Sequence, residues 1–392
     1  MGKVYEVLYR NDIAFSITDG GDVSVKNPNI IPMDIYVEES DDIDDRVNNL
    51  VNFKTWCSER IIPVDRKYAK ELLAYYNFDN ARTFQERAQI GIATRALSLN
   101  DCFWVREKGD PIEWKDANLF KNSLNGAVFE VPLIGKGFTI NRDSISPDIN
   151  TDGKAAKAWL RDGKDFYLLK ADNEHNSVTR EVEASSIARQ LFGDAVVLYE
   201  RDTVSGKEVS KCKCFTNETL NMVKADYYSI YQMNHDGNFG IDLETIYRKQ
   251  LNQMVVTDCL VGNVDRHAKN WGVTYTCQLD QLRPIALSPI YDFDHAFEAN
   301  DGAICQPYLL IGRQARLFEA CKEILKKDDD LMQRVKALDL CDYQYGEYVQ
   351  ERINSLEKEI ALEKDLFPVN DYPNERKDPS DAMDNFDIGD NR

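Results

Sequence analysis

Asp258-Cys-Leu-Val-Gly-Asn-Val-Asp-Arg-His-Ala-Lys-Asn270, followed further along by Pro289-Ile-Tyr-Asp-Phe-Asp294, is the stretch on which the reading of this chain turns. Four residues separate Asp265 from Asn270, and Asp292 follows after one more strand-like segment. Phosphoryl transfer from ATP needs a carboxylate to orient or deprotonate the acceptor hydroxyl, and an amide oxygen with a second carboxylate to hold Mg²⁺ against the phosphates. Mg²⁺ is a hard cation that takes oxygen ligands, which suits Asn270 and Asp292.

Upstream lie the other parts that such a site needs, in the right order. Asp165-Phe-Tyr-Leu-Leu-Lys170 reads as a strand ending in a lysine. Residues 180–192 read as a helix carrying Glu181 and Glu183, with Thr179 as its cap and Gly193 as its stop. A hinge-like segment follows at 212–217, and then a helical region containing 242–261. A strand lysine that meets the nucleotide phosphates and a helix glutamate that holds it, Glu181 in preference to Glu183, are the corresponding parts of a bilobal kinase. The phosphate cradle is less distinct. Gly135-Lys-Gly137 is only a fragment, and Asp152-Gly153-Lys154-Ala-Ala-Lys157 fits better, because small residues admit phosphate to backbone N–H groups while Lys154 or Lys157 adds charge. An ordinary surface turn fits that segment equally well.

Composition bounds the rest. The 392 residues carry 48 Lys and Arg against 67 Asp and Glu, a net charge of −19, which argues against a general nucleic-acid-binding surface. No apolar run approaches a membrane span, and charges interrupt the N-terminal segment where a signal peptide would need its apolar core. Nine scattered cysteines in a chain read as lacking an export signal suggest reduced thiols in a cytoplasm. Cys212 and Cys214 form a close pair but have no second pair at ligand spacing, so a metal site is not expected there.

The pattern predicts an α+β fold: a bilobal kinase-like arrangement with an additional N-terminal α/β module. The expected divisions are an accessory module at 1–125, a small sheet lobe at 126–217, a helical lobe at 218–365 and an acidic tail at 366–392 that is too poor in apolar residues to order itself. Within the module, 1–37 read as short strands, 38–45 as an acidic solvated patch, and 46–60 and much of 67–100 as helical.

Asn263-Val-Asp-Arg-His-Ala-Lys-Asn270 with Tyr291-Asp292 resembles the catalytic signature of the HipA-like serine/threonine kinases. Thr151-Asp-Gly-Lys-Ala-Ala-Lys-Ala-Trp159 is similar to that family's phosphate loop, and Glu181-Val-Glu-Ala-Ser-Ser-Ile-Ala188 to its glutamate helix. The resemblance spans roughly 125–325, and the Asp-Arg-His core is also similar to that of phosphatidylinositol kinases. It implies Asp265 as catalytic base, Asn270 and Asp292 as Mg²⁺ ligands, and Lys170 with Glu181 on ATP. It also implies Gly153, Lys154 and Lys157 at the phosphates, and 213–217, including Lys213 and Phe215, around the adenine. Between Asp265 and Asn270, His267 is expected to brace the loop and Lys269 either to meet the γ-phosphate or to remain solvated. Asp294 departs from the glycine a protein kinase would have there, and His295 is expected to be structural. Ser144, Ser146 and Thr151 stand where some HipA-like kinases autophosphorylate, although turn formation explains them as well. The first 125 residues do not match the toxin's N-terminal domain, and Phe53–Arg66 carries no evident chemistry. The implied function is an ATP- and Mg²⁺-dependent kinase acting on a protein Ser or Thr hydroxyl, its own included, with an antitoxin-like regulator, no nucleic acid and no membrane. A small-molecule or lipid kinase of the same fold, or a nucleotide-binding pseudokinase, is the alternative.

Overall fold

The computed structural model describes residues 2–60, 83–122, 157–172, 175–235, 237–298 and 302–366. Gly153 and Lys154, the Gly135/Gly137 fragment, Ser144, Ser146, Thr151 and the acidic tail beyond 366 lie outside the described residues.

The N-terminal part builds an antiparallel sheet from β1 (Val4–Tyr9), β2 (Asp12–Thr18), β3 (Val23–Val25) and β4 (Phe103–Glu107), in the order β3-β2-β1-β4. Helix α1 (Ile43–Glu59) starts at Asp42, whose carboxylate accepts from the Asp44 N–H. Helix α2 (Phe84–Ala93) packs against α1 and opens on a Thr83/Glu86 capping box. The helix expected to run on to residue 100 stops sooner. Arg95 and Ala96 adopt left-handed φ values of 60° and 47°, and the chain continues irregularly into β4 while burying Leu97, Leu99 and Cys102. The stretch at Phe53–Arg60 is structural: Arg60 is buried, gives a bidentate pair to Asp101 at 2.9 and 2.6 Å, and lies 4.5 Å over the Trp56 ring. A short helix α3 (Trp114–Ala117) completes this part.

The next sheet is antiparallel: β5 (Lys157–Asp162), β6 (Asp165–Ala171), β7 (Tyr199–Val204) and β8 (Lys207–Lys213), ordered β5-β6-β8-β7. Helix α4 (Ser177–Phe192) crosses between β6 and β7. Its start is not capped by Thr179; Asp172, at the end of β6, accepts from the Val178 N–H at 3.1 Å, so the strand end itself fixes where the helix begins. The stop at Gly193 is as expected, with φ 52°.

Beyond the hinge, the helical lobe also holds a three-stranded sheet: β9 (Asn221–Lys224) beside the hairpin of β10 (Gly272–Gln278) and β11 (Gln281–Leu287). Val273, Thr274, Tyr275 and Thr276 favour strand, and the hairpin closes on Leu279 and Asp280, both at positive φ. Helices α5 (Ala225–Asn234), α6 (Phe239–Thr245), α7 (Arg248–Leu260), α8 (Gln306–Leu309), α9 (Leu317–Lys326), α10 (Asp329–Lys336) and α11 (Gly346–Leu366) make up the remainder. The helix expected from 242 to 261 is thus two helices, broken at Ile246-Tyr247. One apolar core runs from the N-terminal sheet through α4 to α7, α9 and α11, while a small separate cluster, Ala158, Leu169, Ala171 and Val209, fills the other side of the β5–β8 sheet. No helix among the described residues is long and apolar enough to cross a membrane.

Candidate active site

Lys170 sits near the end of β6 and is 4% exposed. Its ammonium donates both to Glu181 Oε1 on α4 and to Asp292 Oδ1 on the segment after β11. The antiparallel β5–β6–β8 sheet aims the lysine inward, and α4 lies so that its first full turn presents Glu181, 1% exposed, to the same point. Ser210 on β8 donates to the second oxygen of Glu181, which satisfies the carboxylate on both sides. Glu183 points elsewhere, accepting from the backbone N–H groups of Gln344 and Tyr345 at 2.9 Å each.

The charges around Lys170 are strongly linked. Burial works against the ammonium, but Asp292 and Glu181 outweigh it and hold Lys170 well above the ordinary lysine range. Burial would lift Asp292 too, yet Lys170, Lys157 and Arg266 hold its carboxyl well below the usual range. Glu181 is pushed up to about 7, by burial first and by Asp294 and Asp292 next, against the pull of Lys170.

Helix α7 delivers the 265–270 loop. It ends at Leu260 with Val261 as its C-cap, and Gly262 turns the chain at φ 60° in a place where any Cβ would strike the Tyr348 hydroxyl at 2.0 Å. Arg266 then folds back under the loop and is wholly buried. Its Nε and Nη2 donate to the two carboxylate oxygens of Asp258 at 3.0 Å each, and Nη1 donates to the carbonyls of Asn270, at 2.8 Å, and Tyr291. One guanidinium therefore ties α7, the 265–270 loop and the Asp292 segment together. Asn263 donates to the same Asp258 at 3.0 Å.

Within the loop, Asn270 Nδ2 donates to the Asp265 carbonyl at 2.7 Å, which leaves the amide oxygen available to a cation. Asp265 is half-buried, and its carboxyl is raised by that burial, with His267 and His295 pulling the other way. His267 braces the loop: its Nδ1 accepts from the Lys269 N–H at 3.2 Å, and its Nε2 stands 3.8 Å from Asp265. Asp294 and His295 gather beside Asp265, with donor atoms mutually within 4.8 Å, and His295 pairs with Glu298 at 3.0 Å.

Asp292 adopts a left-handed φ of 65°. Its N–H donates to the Tyr199 hydroxyl at 3.1 Å, and the Tyr199 ring also lies 5.2 Å from Lys170 Nζ. The Ile290 N–H and carbonyl bond the backbone at 195–197, so the residues before Asp292 are stitched to the sheet lobe as well as to the helical one.

These groups face a cleft between the lobes. Trp159, Leu168 and Val197 line it on the sheet side, Met222 and Tyr291 on the other, and Lys157, Lys170, Lys269, Asn270 and Asp292 converge at one end. The hinge segment Lys213–Thr216 also lines it. There the Lys213 ammonium turns to Asp165, 2.9 Å away on the surface, so this position offers main chain, while Phe215 packs its ring 5.7 Å from Tyr291. Lys269, which also lines the cleft, lies 5.8 Å from the Tyr227 ring.

A sheet-lobe lysine held between a helix glutamate and an aspartate of the other lobe, above an Asp265/Asn270 loop, decides the architecture. The fold is α+β, bilobal and kinase-like. No family model matches the chain, and no curated protein matches it. Among solved structures it is similar to the proinflammatory kinase CtkA of Helicobacter pylori, at 15% identity over 54% of this chain and 94% of that one, with a TM-score of 0.37. It is also similar to HipA of Shewanella oneidensis MR-1, seen there in a toxin–antitoxin complex with HipB and operator DNA, at 12% identity over 91% of this chain and 97% of that one, with a TM-score of 0.48.

Several contributors to this site had no sequence signal. Arg266 and Asp258 stand inside the deciding stretch, but only the fold shows that they pair. Tyr199 and Ser210 are strand residues whose partners come from distant segments.

Proposed function

We propose that the protein is an ATP- and Mg²⁺-dependent phosphotransferase that moves the γ-phosphoryl group to a Ser or Thr hydroxyl of a protein, its own chain included. The observation that carries this reading is the Lys170 ammonium bridging Glu181 and Asp292 at the inner end of the cleft. Such an ammonium, fixed by a buried carboxylate, binds the α- and β-phosphates.

The donor set fits the metal. The amide oxygen of Asn270 and the carboxylate of Asp292 are hard oxygen donors at the same end of the cleft, and Asp292 is held in its ionised form. These two residues would hold Mg²⁺, which would neutralise charge on the phosphates. Asp265 orients the acceptor hydroxyl. As the hydroxyl oxygen bonds to the γ-phosphorus, the bond from that phosphorus to the bridging oxygen breaks, the electron pair leaves with ADP, and the hydroxyl proton passes to Asp265. Burial makes that carboxylate a better proton acceptor than an exposed aspartate. An antitoxin-like regulator, a protein substrate and a cytoplasmic setting belong to the same proposal.

The test is incubation of the purified protein with γ-labelled ATP and Mg²⁺ beside Asp265→Ala and Asp292→Asn, with the label located by mass spectrometry. Label on Ser or Thr in the unsubstituted protein and in neither variant supports the reading. Failure to bind ATP at all removes the site assignment, and ATP binding without transfer to protein redirects it to another acceptor.

A further inference from the structure

The N-terminal part reaches the rim of the cleft at Asn100. Its residues 98–102 run along the hinge and the start of β9. The Thr216 hydroxyl donates to the Leu99 carbonyl at 2.7 Å, the Met222 N–H donates to the Asn100 carbonyl at 2.8 Å, and the Tyr9 hydroxyl donates to Asn221 Oδ1 at 3.1 Å. Glu218, between them, takes Trp114 Nε1 at 3.2 Å and Lys121 at 2.8 Å. Asn100 itself lines the cleft beside Thr216, Met222 and Lys224.

Both main-chain groups of Asn100 are committed. Its N–H donates to the Ser98 hydroxyl at 2.9 Å, and its carbonyl takes Met222. The carboxamide has no hydrogen-bond partner among the described residues, yet it stands on a backbone fixed at both ends, at the edge of a mostly apolar cleft. A polar side chain presented in this way is pre-organised for a ligand, because little further ordering is needed on binding. Pockets of this kind are apolar with a few fixed polar groups that set specificity.

We propose that Asn100 is a nucleotide-specificity residue, supplied by the N-terminal part, that hydrogen-bonds the ribose hydroxyls of the bound nucleotide. This rests on the nucleotide reading of the cleft given above. With the phosphates at Lys170 and Asn270 and the purine against Cys212–Phe215, the sugar lies beside Thr216, Met222 and Lys224, where Asn100 stands. A carboxamide suits vicinal hydroxyls, since it offers both a donor and an acceptor.

The experiment is equilibrium binding of ATP, 2′-deoxy-ATP and 3′-deoxy-ATP, each with Mg²⁺, to the full chain and to Asn100→Ala. Loss of one net hydrogen bond corresponds to about a five- to tenfold weakening. The unsubstituted protein should prefer ATP over at least one deoxy analogue by that factor. Asn100→Ala should bind ATP about as weakly as that analogue and no longer tell the two apart, with its thermal midpoint unchanged. A preference that persists in Asn100→Ala, or equal losses for all three nucleotides, overturns this proposal alone. A lowered thermal midpoint in Asn100→Ala, with the analogue pattern intact, makes the residue structural and overturns it too. Absence of ATP binding by the unsubstituted protein overturns the kinase reading and this one with it.

Discussion

Asp258→Ala tests the most consequential buried interaction in the site. Asp258 and Arg266 are each about 1% exposed in their side chains and share two hydrogen bonds at 3.0 Å. Removing the carboxylate leaves a buried guanidinium without its paired carboxylate, Asp292 remaining as a more distant negative charge, and takes away the acceptor for Asn263. Breaking a buried pair from one side costs about 3–5 kcal/mol. At roughly 2–4 °C per kcal/mol for a domain of this scale, the thermal midpoint should fall by roughly 6–20 °C. Arg266 also holds the carbonyls of Asn270 and Tyr291, so nucleotide affinity should fall in parallel. The assay is differential scanning calorimetry with and without Mg²⁺-ATP. The double variant Asp258→Leu with Arg266→Met separates the two effects. It removes both charges, so it should regain much of the lost midpoint while nucleotide binding stays impaired. A drop of less than about 1 kcal/mol in Asp258→Ala, or a double variant no more stable than the single one, would refute the argument that this pair is a buried tie whose half cannot stand alone.

Three further outcomes follow from the geometry. Glu181→Ala should reduce phosphoryl transfer by about a hundredfold or more, since Lys170 loses its anchor, whereas Glu183→Ala should lose only the caps on Gln344 and Tyr345, about 1–2 kcal/mol of stability, with turnover retained; a labelled-ATP assay on both decides it. Tyr199→Phe keeps the ring beside Lys170 but removes the acceptor for the Asp292 N–H, so it should cost about 1 kcal/mol and show as a several-fold fall in kcat rather than as a rise in KM for ATP. Glu59, which accepts from the Tyr227 hydroxyl, is raised by burial above the ordinary glutamate value of 4.5, with Lys269 and Lys224 opposing. A raised carboxyl favours folding most below pH 4.5 and loses that contribution as pH climbs through its folded value, so the midpoint of the unsubstituted protein minus that of Glu59→Gln should shrink from pH 4.5 toward 7; a growing difference would contradict it.

Local chemistry alone specified a good deal. The Asp265-x-x-x-x-Asn270 spacing, the later Asp292 and the order of lysine strand, glutamate helix and hinge are linear patterns, because each part lies on one short element whose period the sequence displays. The α+β bilobal arrangement followed from that order. Element ends were less legible. The cap of α4 comes from Asp172 at a strand end, and the break at Ile246-Tyr247 carries neither Gly nor Pro, so propensity offered no stop there.

What the tertiary structure decided were the pairings. Lys170 meets Glu181 and Asp292 across the lobes, Arg266 takes Asp258 along with the carbonyls of the Asp292 segment, and Tyr199 holds the Asp292 backbone. Asn100 reaches the hinge from more than a hundred residues upstream of it. The physical reason is common to all of these. A hydrogen bond or ion pair depends on distances of about 3 Å, and residues a hundred positions apart come that close only after burial of the apolar core has fixed the elements that carry them. The sequence by itself determined which chemical groups are present and in what order; the packing determined which of them touch.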